Sequence, residues 1–302
     1  MGKYENRKMS EVQTVTIEAA LRQGSRRLRS VGLGSADLEA SLLVGMVTGL
    51  DRLAILTRTA TELTPEQWAS LDAFLSRREK HEPFQYLSGQ QQFMSLEFEV
   101  GPGVLVPRPE TEHLVEAVLD RIAEAPRPTS GEWLVADVGT GSGAIAVTLA
   151  SYINDVRVVA TDLSPDALEF ARRNARRHGV FDRLEFRLGD GLEPLADRAG
   201  EFDILVSNPP YIPTQEIAGL DPEVRDFEPR LALDGGDDGL AILSLLARQG
   251  LSLVKPGGWL AVEVMAGQAQ SVERLLSGWQ EIEILKDLLG HQRVLVARRP
   301  QG

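Results

Sequence analysis

From residue 133 onward, short apolar runs alternate with longer stretches in which apolar residues recur every three or four positions. The short runs predict strands at about 133–138, 157–161, 184–188, 202–207, 258–264, 281–286 and 292–298. The longer stretches predict helices at about 142–152, 165–178, 238–250 and 267–277. Alternation of this kind builds a doubly wound, mostly parallel sheet with right-handed crossovers. Only a short segment around Gly290 separates the last two strands. It cannot hold a parallel crossover, so the pair is expected to form an antiparallel hairpin. The expected fold class is therefore α/β, a doubly wound, Rossmann-like, seven-stranded sheet with an antiparallel last strand. This differs from the six-stranded, all-parallel dinucleotide fold.

Residues 12 to about 82 carry helical periodicity instead, with Leu38, Leu42, Leu43 and Met46 on one helical face. Thr64-Pro65-Glu66-Gln67 is a helix start: Thr64 can cap, Pro65 suits the first turn and Gln67 completes a capping box. Trp68, Leu71 and Leu75 form the apolar stripe that follows. Leu96 to Val100 alternates as a strand, expected in a hairpin that links two domains. Pro107-Arg108-Pro109-Glu110-Thr111-Glu112 breaks the chain and opens another helix. The expected organisation is a disordered N-terminus at 1–10, a helical domain at 11–82, a linker hairpin at 83–107 and a large domain at 108–302.

Composition narrows the function classes. The chain has 302 residues and a net charge of −12, which disfavours a nucleic-acid backbone as its main partner. It has no cysteine, which removes disulfides, thiolate metal sites and a cysteine nucleophile. No cluster of His, Asp and Glu has metal-ligand spacing, so no metal is expected. The sequence holds no long apolar run for a membrane helix and no apolar signal core at its start, so a cytoplasmic protein is expected. Arg172, Arg173, Arg176 and Arg177 read as a solvated helix face.

The candidate chemistry lies at strand ends. Asp137-Val138-Gly139-Thr140-Gly141-Ser142-Gly143 runs from a strand through a glycine-rich turn into a helix. Glycines let backbone approach a ligand closely, and the helix N-terminus favours a carboxylate or phosphate. Asp162 ends the next strand, about 20 residues on, where an acidic side chain meets ribose hydroxyls. Ser164 stands before Pro165-Asp166 and can cap the following helix, which leaves Asp162 for the ligand. Asp190-Gly191 follows the third strand, within reach of an adenine edge. The fourth strand ends in Asn208-Pro209-Pro210-Tyr211. Its two prolines fix φ, donate no N–H and restrict the residues before them. Such a stiff loop suits the gripping of a planar group with N–H donors, an amide or an exocyclic amine. Four strand ends converge at the switch point of the sheet, the expected ligand location.

With these residues in place the chain resembles the S-adenosylmethionine-dependent methyltransferases. More narrowly, it resembles the PrmC (HemK) family of peptide-chain release factor N5-glutamine methyltransferases. Further supporting segments are Glu82 to Gly89, Val106 to Glu112 and Gly235-Gly236-Asp237-Asp238-Gly239-Leu240. The resemblance implies a helical N-terminal domain that docks the release factor and a catalytic domain of the seven-stranded methyltransferase type. It implies that Gly139, Thr140, Gly141, Ser142, Gly143, Asp162, Asp190, Gly191 and Asn208 contact S-adenosylmethionine, with S-adenosylhomocysteine as product. It implies that Asn208, Pro209, Pro210 and Tyr211 hold the glutamine of the release factor's Gly-Gly-Gln loop and form the catalytic site. Tyr211 would pack on the glutamine stem or close the pocket. Position 191 is Gly where some members carry an aromatic, which puts adenine stacking there in question. Nothing catalytic is carried over for Val264 to Gln268, a looser match. A monomer in a transient one-to-one complex with the release factor is expected, with no direct contact to nucleic acid or membrane. The alternatives are a glutamine methyltransferase for a ribosomal protein, an adenine-N6 DNA methyltransferase acting on a flipped base, and a non-catalytic binding scaffold.

Overall fold

A computed structural model describes residues 15–301. The expected disordered segment at 1–10 lies outside the described residues. The chain forms two units, Met1–Ser88 and Gly89–Gly302.

The first unit is helical, with helices at Ile17–Ser30, Ala36–Thr48, Arg52–Thr57, Pro65–Arg78 and Phe84–Ser88. The Thr64 capping box is present: Gln67 N donates to Thr64 Oγ1 at 3.2 Å and Thr64 N donates to Gln67 Oε1 at 2.9 Å. Leu71 and Leu75 are fully buried and Trp68 packs against the same core. The helix 36–48 differs from the expected face. It buries Ala36, Ala40, Leu43 and Val44, while Leu38, Leu42 and Met46 are 47%, 41% and 38% exposed. The reason is close helix contact: a Cβ on Gly24 would stand 3.1 Å from Ala40 Cβ, so small residues, not the leucine stripe, form the seam. Arg78 and Glu39 form a buried ion pair at 2.6 Å in this unit.

The second unit opens with an antiparallel hairpin, Gln90–Phe93 and Leu96–Glu99, followed by the helix Pro109–Glu124. Its main sheet has seven strands: β1 Trp133–Val138, β2 Val156–Asp162, β3 Leu184–Leu188, β4 Phe202–Ser207, β5 Val254–Glu263, β6 Gln280–Lys286 and β7 Gln292–Arg298. The spatial order is β6-β7-β5-β4-β1-β2-β3. β7 is antiparallel to both its neighbours, β5 and β6. The expected hairpin therefore forms, but its second strand inserts between the first and the rest of the sheet.

Side chains alternate across the sheet, and both faces are covered. Val135, Ile204 and Val206 join the core under the helices 109–124, 144–152 and 165–177. Ala136, Phe202 and Leu205 join the core under the helix Ala241–Leu253. Burial on both faces is why β4 reads as a nearly continuous apolar run. Phe202, Leu205 and Val206 are each 0% exposed, and each contributes roughly 1.5–3 kcal/mol by leaving water.

The four arginines of helix 165–177 are not simply solvated. Arg172, Arg173 and Arg176 stack over Phe186, Phe170 and Phe181, and Arg173 and Arg177 pair with Glu99 and Glu97 of the hairpin. A charge cluster in the sequence does not reveal an aromatic face such as Phe186, which arrives from β3.

Candidate active site

β1 pairs with β2 on one side and β4 on the other, so the crossovers reverse direction between β1 and β4. The C-terminal ends of β1 to β4 open there into one pocket. Its floor is the glycine turn. Gly139 N and Thr140 N both donate to Thr161 O at 2.9 Å, which ties the turn to the end of β2. Thr140 Oγ1 and Ala146 N donate to Asp137 Oδ2 at 2.6 and 3.1 Å. Asp137 is fully buried, and its Oδ1 has no hydrogen-bond partner among the described residues. Burial pushes this carboxyl up to about 7.

The turn residues divide by role. Gly139, Thr140, Gly141 and Ser142 line the pocket, and at Gly139 and Gly141 an added Cβ would meet nothing within 4 Å. That bare backbone rim fits a ligand that approaches the main chain closely, as the amino-acid end of S-adenosylmethionine would. Gly143 is not a lining residue. With φ of 83° it begins the helix Ala144–Tyr152, and a Cβ there would stand 3.0 Å from Ala171 Cα. Its glycine serves helix packing.

Asp162, at the end of β2, also lines the pocket. Its Oδ2 accepts from Gly141 N and its Oδ1 from Ser164 N, both at 2.8 Å. Ser164 Oγ accepts from Ala167 N at 3.2 Å and caps helix 165–177. Asp162 is therefore braced by backbone donors on both of its oxygens. Burial pushes its carboxyl above the ordinary range. Asp190 and Gly191 line the pocket at the end of β3. Gly191 has φ of 50°, and a Cβ there would stand 2.5 Å from Leu245 Cδ2. No side chain at 191 is available to stack on a base.

At the end of β4, Ser207 Oγ donates to Val138 O at 2.6 Å and locks the two central strand ends together. Asn208, Pro209 and Pro210 line the pocket. Asn208 Nδ2 donates to Thr111 Oγ1 at 2.9 Å. Tyr211 departs from its expected place. It is not among the lining residues, and its hydroxyl donates to Glu263 Oε1 at 3.0 Å. Burial and the Glu263 carboxylate push the Tyr211 phenol far above its ordinary value. The Tyr211 carbonyl accepts from Gln268 Nε2 at 2.9 Å. A Cβ on Gly239 would stand 2.3 Å from that same carbonyl oxygen.

Sequence reasoning missed several residues that build the site. Thr111 and Arg108 sit in the Pro107 to Glu112 segment, where the sequence marks a chain break and a helix start but no role for either side chain. Arg108 lines the pocket and is held by Glu228, whose Oε2 accepts from Arg108 Nη2 at 2.5 Å and whose Oε1 accepts from Val106 N at 3.2 Å. Glu228 belongs to no motif, and nothing local marks it. Gln268 and Glu263 lie in or beside the segment from which nothing was carried over. Among the described residues, no helix is long and apolar enough to cross a membrane.

The family described as "PrmC N-terminal domain" matches residues 19–89, and the one described as "Methyltransferase domain" matches residues 135–225. A release factor glutamine methyltransferase from Moorella thermoacetica is 43% identical, covering 94% of this chain and 99% of that protein. One from Geobacter sulfurreducens is 41% identical, covering 94% of this chain and 96% of that protein. Among solved structures, a methyltransferase from Pyrococcus furiosus superposes with a TM-score of 0.51 at 18% identity, over 74% of this chain and 98% of that one. That last likeness bears on the fold.

Proposed function

This chain belongs to the release factor glutamine methyltransferases, and from that premise we propose which of its residues carry out the reaction. It is an enzyme that methylates the glutamine of peptide-chain release factors. The methyl donor we assign is S-adenosylmethionine, which when bound supplies a methyl carbon on cationic sulfur and leaves as S-adenosylhomocysteine. The turn Gly139 to Ser142 holds its amino-acid end, Asp162 its ribose hydroxyls, and Asp190 with the Gly191 backbone its adenine edge.

The acceptor is the side-chain amide nitrogen (N5) of the glutamine in the Gly-Gly-Gln loop. An amide nitrogen is a poor nucleophile, because its lone pair is delocalised into the carbonyl. Asn208 Oδ1 and the Pro209 carbonyl accept its two hydrogens, turn the lone pair into the pocket and favour the positive charge that develops on nitrogen. Pro209 and Pro210 keep those acceptors from relaxing. The protonated, methylated amide is strongly acidic and passes its proton to water, so no dedicated base is needed. Tyr211 acts from beneath by anchoring the loop to Glu263.

The observation that carries this reading is the hydrogen bond from Asn208 Nδ2 to Thr111. It commits the nitrogen end of the amide to the protein and leaves Oδ1 of a pocket-lining residue as an acceptor. The helical unit takes part in docking the release factor, in a transient one-to-one complex with a monomeric enzyme. A substrate drawn from the translation machinery places the reaction in the cytoplasm. The test is methyl transfer from labelled donor to intact release factor, with a Gln→Ala variant of its Gly-Gly-Gln loop and duplex DNA as controls. Label is expected only on the factor that keeps its glutamine. Asn208→Ala should lower turnover by at least about 100-fold, with donor affinity held within a few-fold. An Asn208→Ala enzyme with near-normal turnover would refute the assignment.

A further inference from the structure

The amino-acid end of the donor assigned above carries two opposite charges, an ammonium and a carboxylate. The backbone groups of the glycine turn favour the first. Gly139 N and Thr140 N are spent on Thr161 O, Gly141 N on Asp162 Oδ2 and Gly143 N on Thr140 O. Ser142 O accepts from Asn174 Nδ2 at 2.8 Å. The carbonyl oxygens of Gly139 and Gly141, both lining residues, have no hydrogen-bond partner among the described residues. They are acceptors that suit an ammonium. At the start of helix 144–152 the N–H groups of Ser142, Ala144 and Ile145 stay uncommitted among the described residues, but these carry only partial charge.

The carboxylate needs a cation. Asp162 and Asp190 line the pocket and add only like charge. Among the described residues that line the pocket, the one cationic side chain is Arg108. Arg108 is the N-cap of helix 109–124, and Thr111, three residues on, holds Asn208 at 2.9 Å. Arg108 therefore belongs to the part of the pocket where donor and glutamine meet, a few bonds from the donor's carboxylate. Glu228, whose side chain is 1% exposed, fixes the guanidinium: Oε2 accepts from Nη2 at 2.5 Å and Oε1 from Val106 N at 3.2 Å. Arg108 Nε and Nη1 make no hydrogen bond among the described residues. The planar fork keeps donors for a second carboxylate.

We propose that Arg108 binds the α-carboxylate of the methyl donor, and that Glu228 is a positioning residue that holds the guanidinium for it. The proposal rests on the functional reading given above. The donor's amino-acid end is then held from two sides, by the Gly139 and Gly141 carbonyls on its ammonium and by Arg108 on its carboxylate. Arg108 opens the helix whose Thr111 holds Asn208. One helix start thus places both the donor and the residue that grips the acceptor. Arg108 works by binding and orienting, and it moves no proton.

The experiment is calorimetric binding, by the full chain, of S-adenosylmethionine and of its decarboxylated form, which lacks only the carboxylate. Removing Arg108 alone would strand the buried Glu228 carboxylate. Arg108→Met is therefore made in a Glu228→Gln parent, which keeps an acceptor for Val106 N, and Arg108→Lys in the wild-type chain. Relative to its parent, Arg108→Met is expected to weaken S-adenosylmethionine by about 30-fold, the scale of a hydrogen bond between charged groups. The decarboxylated form should stay within about twofold. Arg108→Lys should weaken S-adenosylmethionine by about threefold to tenfold, because it keeps the charge and loses the fork. Glu228→Leu should cost about tenfold for S-adenosylmethionine alone, and Glu228→Gln should stay within about threefold. The assignment of Arg108 is overturned if Arg108→Met weakens both ligands alike, which marks a structural role, or weakens neither. It is also overturned if donor binding holds while KM for the release factor rises, which would put Arg108 on the protein substrate. The positioning role of Glu228 fails if Glu228→Leu binds S-adenosylmethionine as the wild type does. A wild-type enzyme that binds no S-adenosylmethionine, or puts no label on the factor, would refute the underlying reading.

Discussion

Asp137 offers a direct test of the electrostatics under the glycine turn. The carboxyl is fully buried, accepts two hydrogen bonds on Oδ2, has no partner on Oδ1 among the described residues, and is pushed from an ordinary 3.8 up to about 7. Between those two values the native state keeps a proton that the unfolded chain has lost. Stability from this group is therefore complete below about pH 4 and falls as pH rises, until it is gone above about pH 7. The slope is about 1.4 kcal/mol per pH unit, so the whole span amounts to about 4 kcal/mol, of which about 3 kcal/mol lies between pH 5 and 8. Asp137→Asn removes the titration and keeps an oxygen for Thr140 and the Ala146 N–H. Urea unfolding of both proteins at pH 5 and pH 8, followed by tryptophan emission, reads the effect. Three of the four tryptophans, Trp133, Trp259 and Trp279, report on the catalytic unit. Other titrating groups cancel in the difference between the two proteins. That difference should move by about 3 kcal/mol in favour of Asp137→Asn on going from pH 5 to pH 8. A difference that stays constant within about 1 kcal/mol would show that Asp137 is already ionised at pH 5, and the burial argument would fail.

Gly239→Ala places a Cβ 2.3 Å from the Tyr211 carbonyl oxygen; kcat should drop by about tenfold or more through displacement of the loop, with donor affinity retained in a binding assay. Glu39→Ala leaves Arg78, whose side chain is 3% exposed, without its 2.6 Å partner. It should destabilise the helical unit by about 3–5 kcal/mol, read from Trp68 emission in urea, and Glu39→Leu combined with Arg78→Met should recover most of the loss.

The parts of this protein that were legible in sequence are those whose cause is local. Burial on both faces makes β4 an apolar run, and a Thr-Pro-Glu-Gln start makes a capped helix, so both are written within a few residues. The four strand ends also carry their own signatures, and the sheet topology brings them together. The insertion of β7 between β5 and β6 is not local: a short turn fixes that the two strands pair, but which of them lies against β5 depends on the whole sheet. Helix 36–48 shows the same limit, since its buried face is set by Gly24 from another helix and not by its own leucines. The site divides along this line as well. Asn208 is conspicuous because two prolines follow it, but its hydrogen-bond partner is 97 residues away, and the partner of Tyr211 is 52 residues away. A threonine in a helix turn and a glutamate at a strand end are unremarkable in sequence. Folding makes them informative, because it brings Thr111 against Asn208 and Glu263 against Tyr211. The residue proposed to grip the substrate is thus marked by its own loop, while the partner that holds its amide lies in a segment that meets it only in the folded chain.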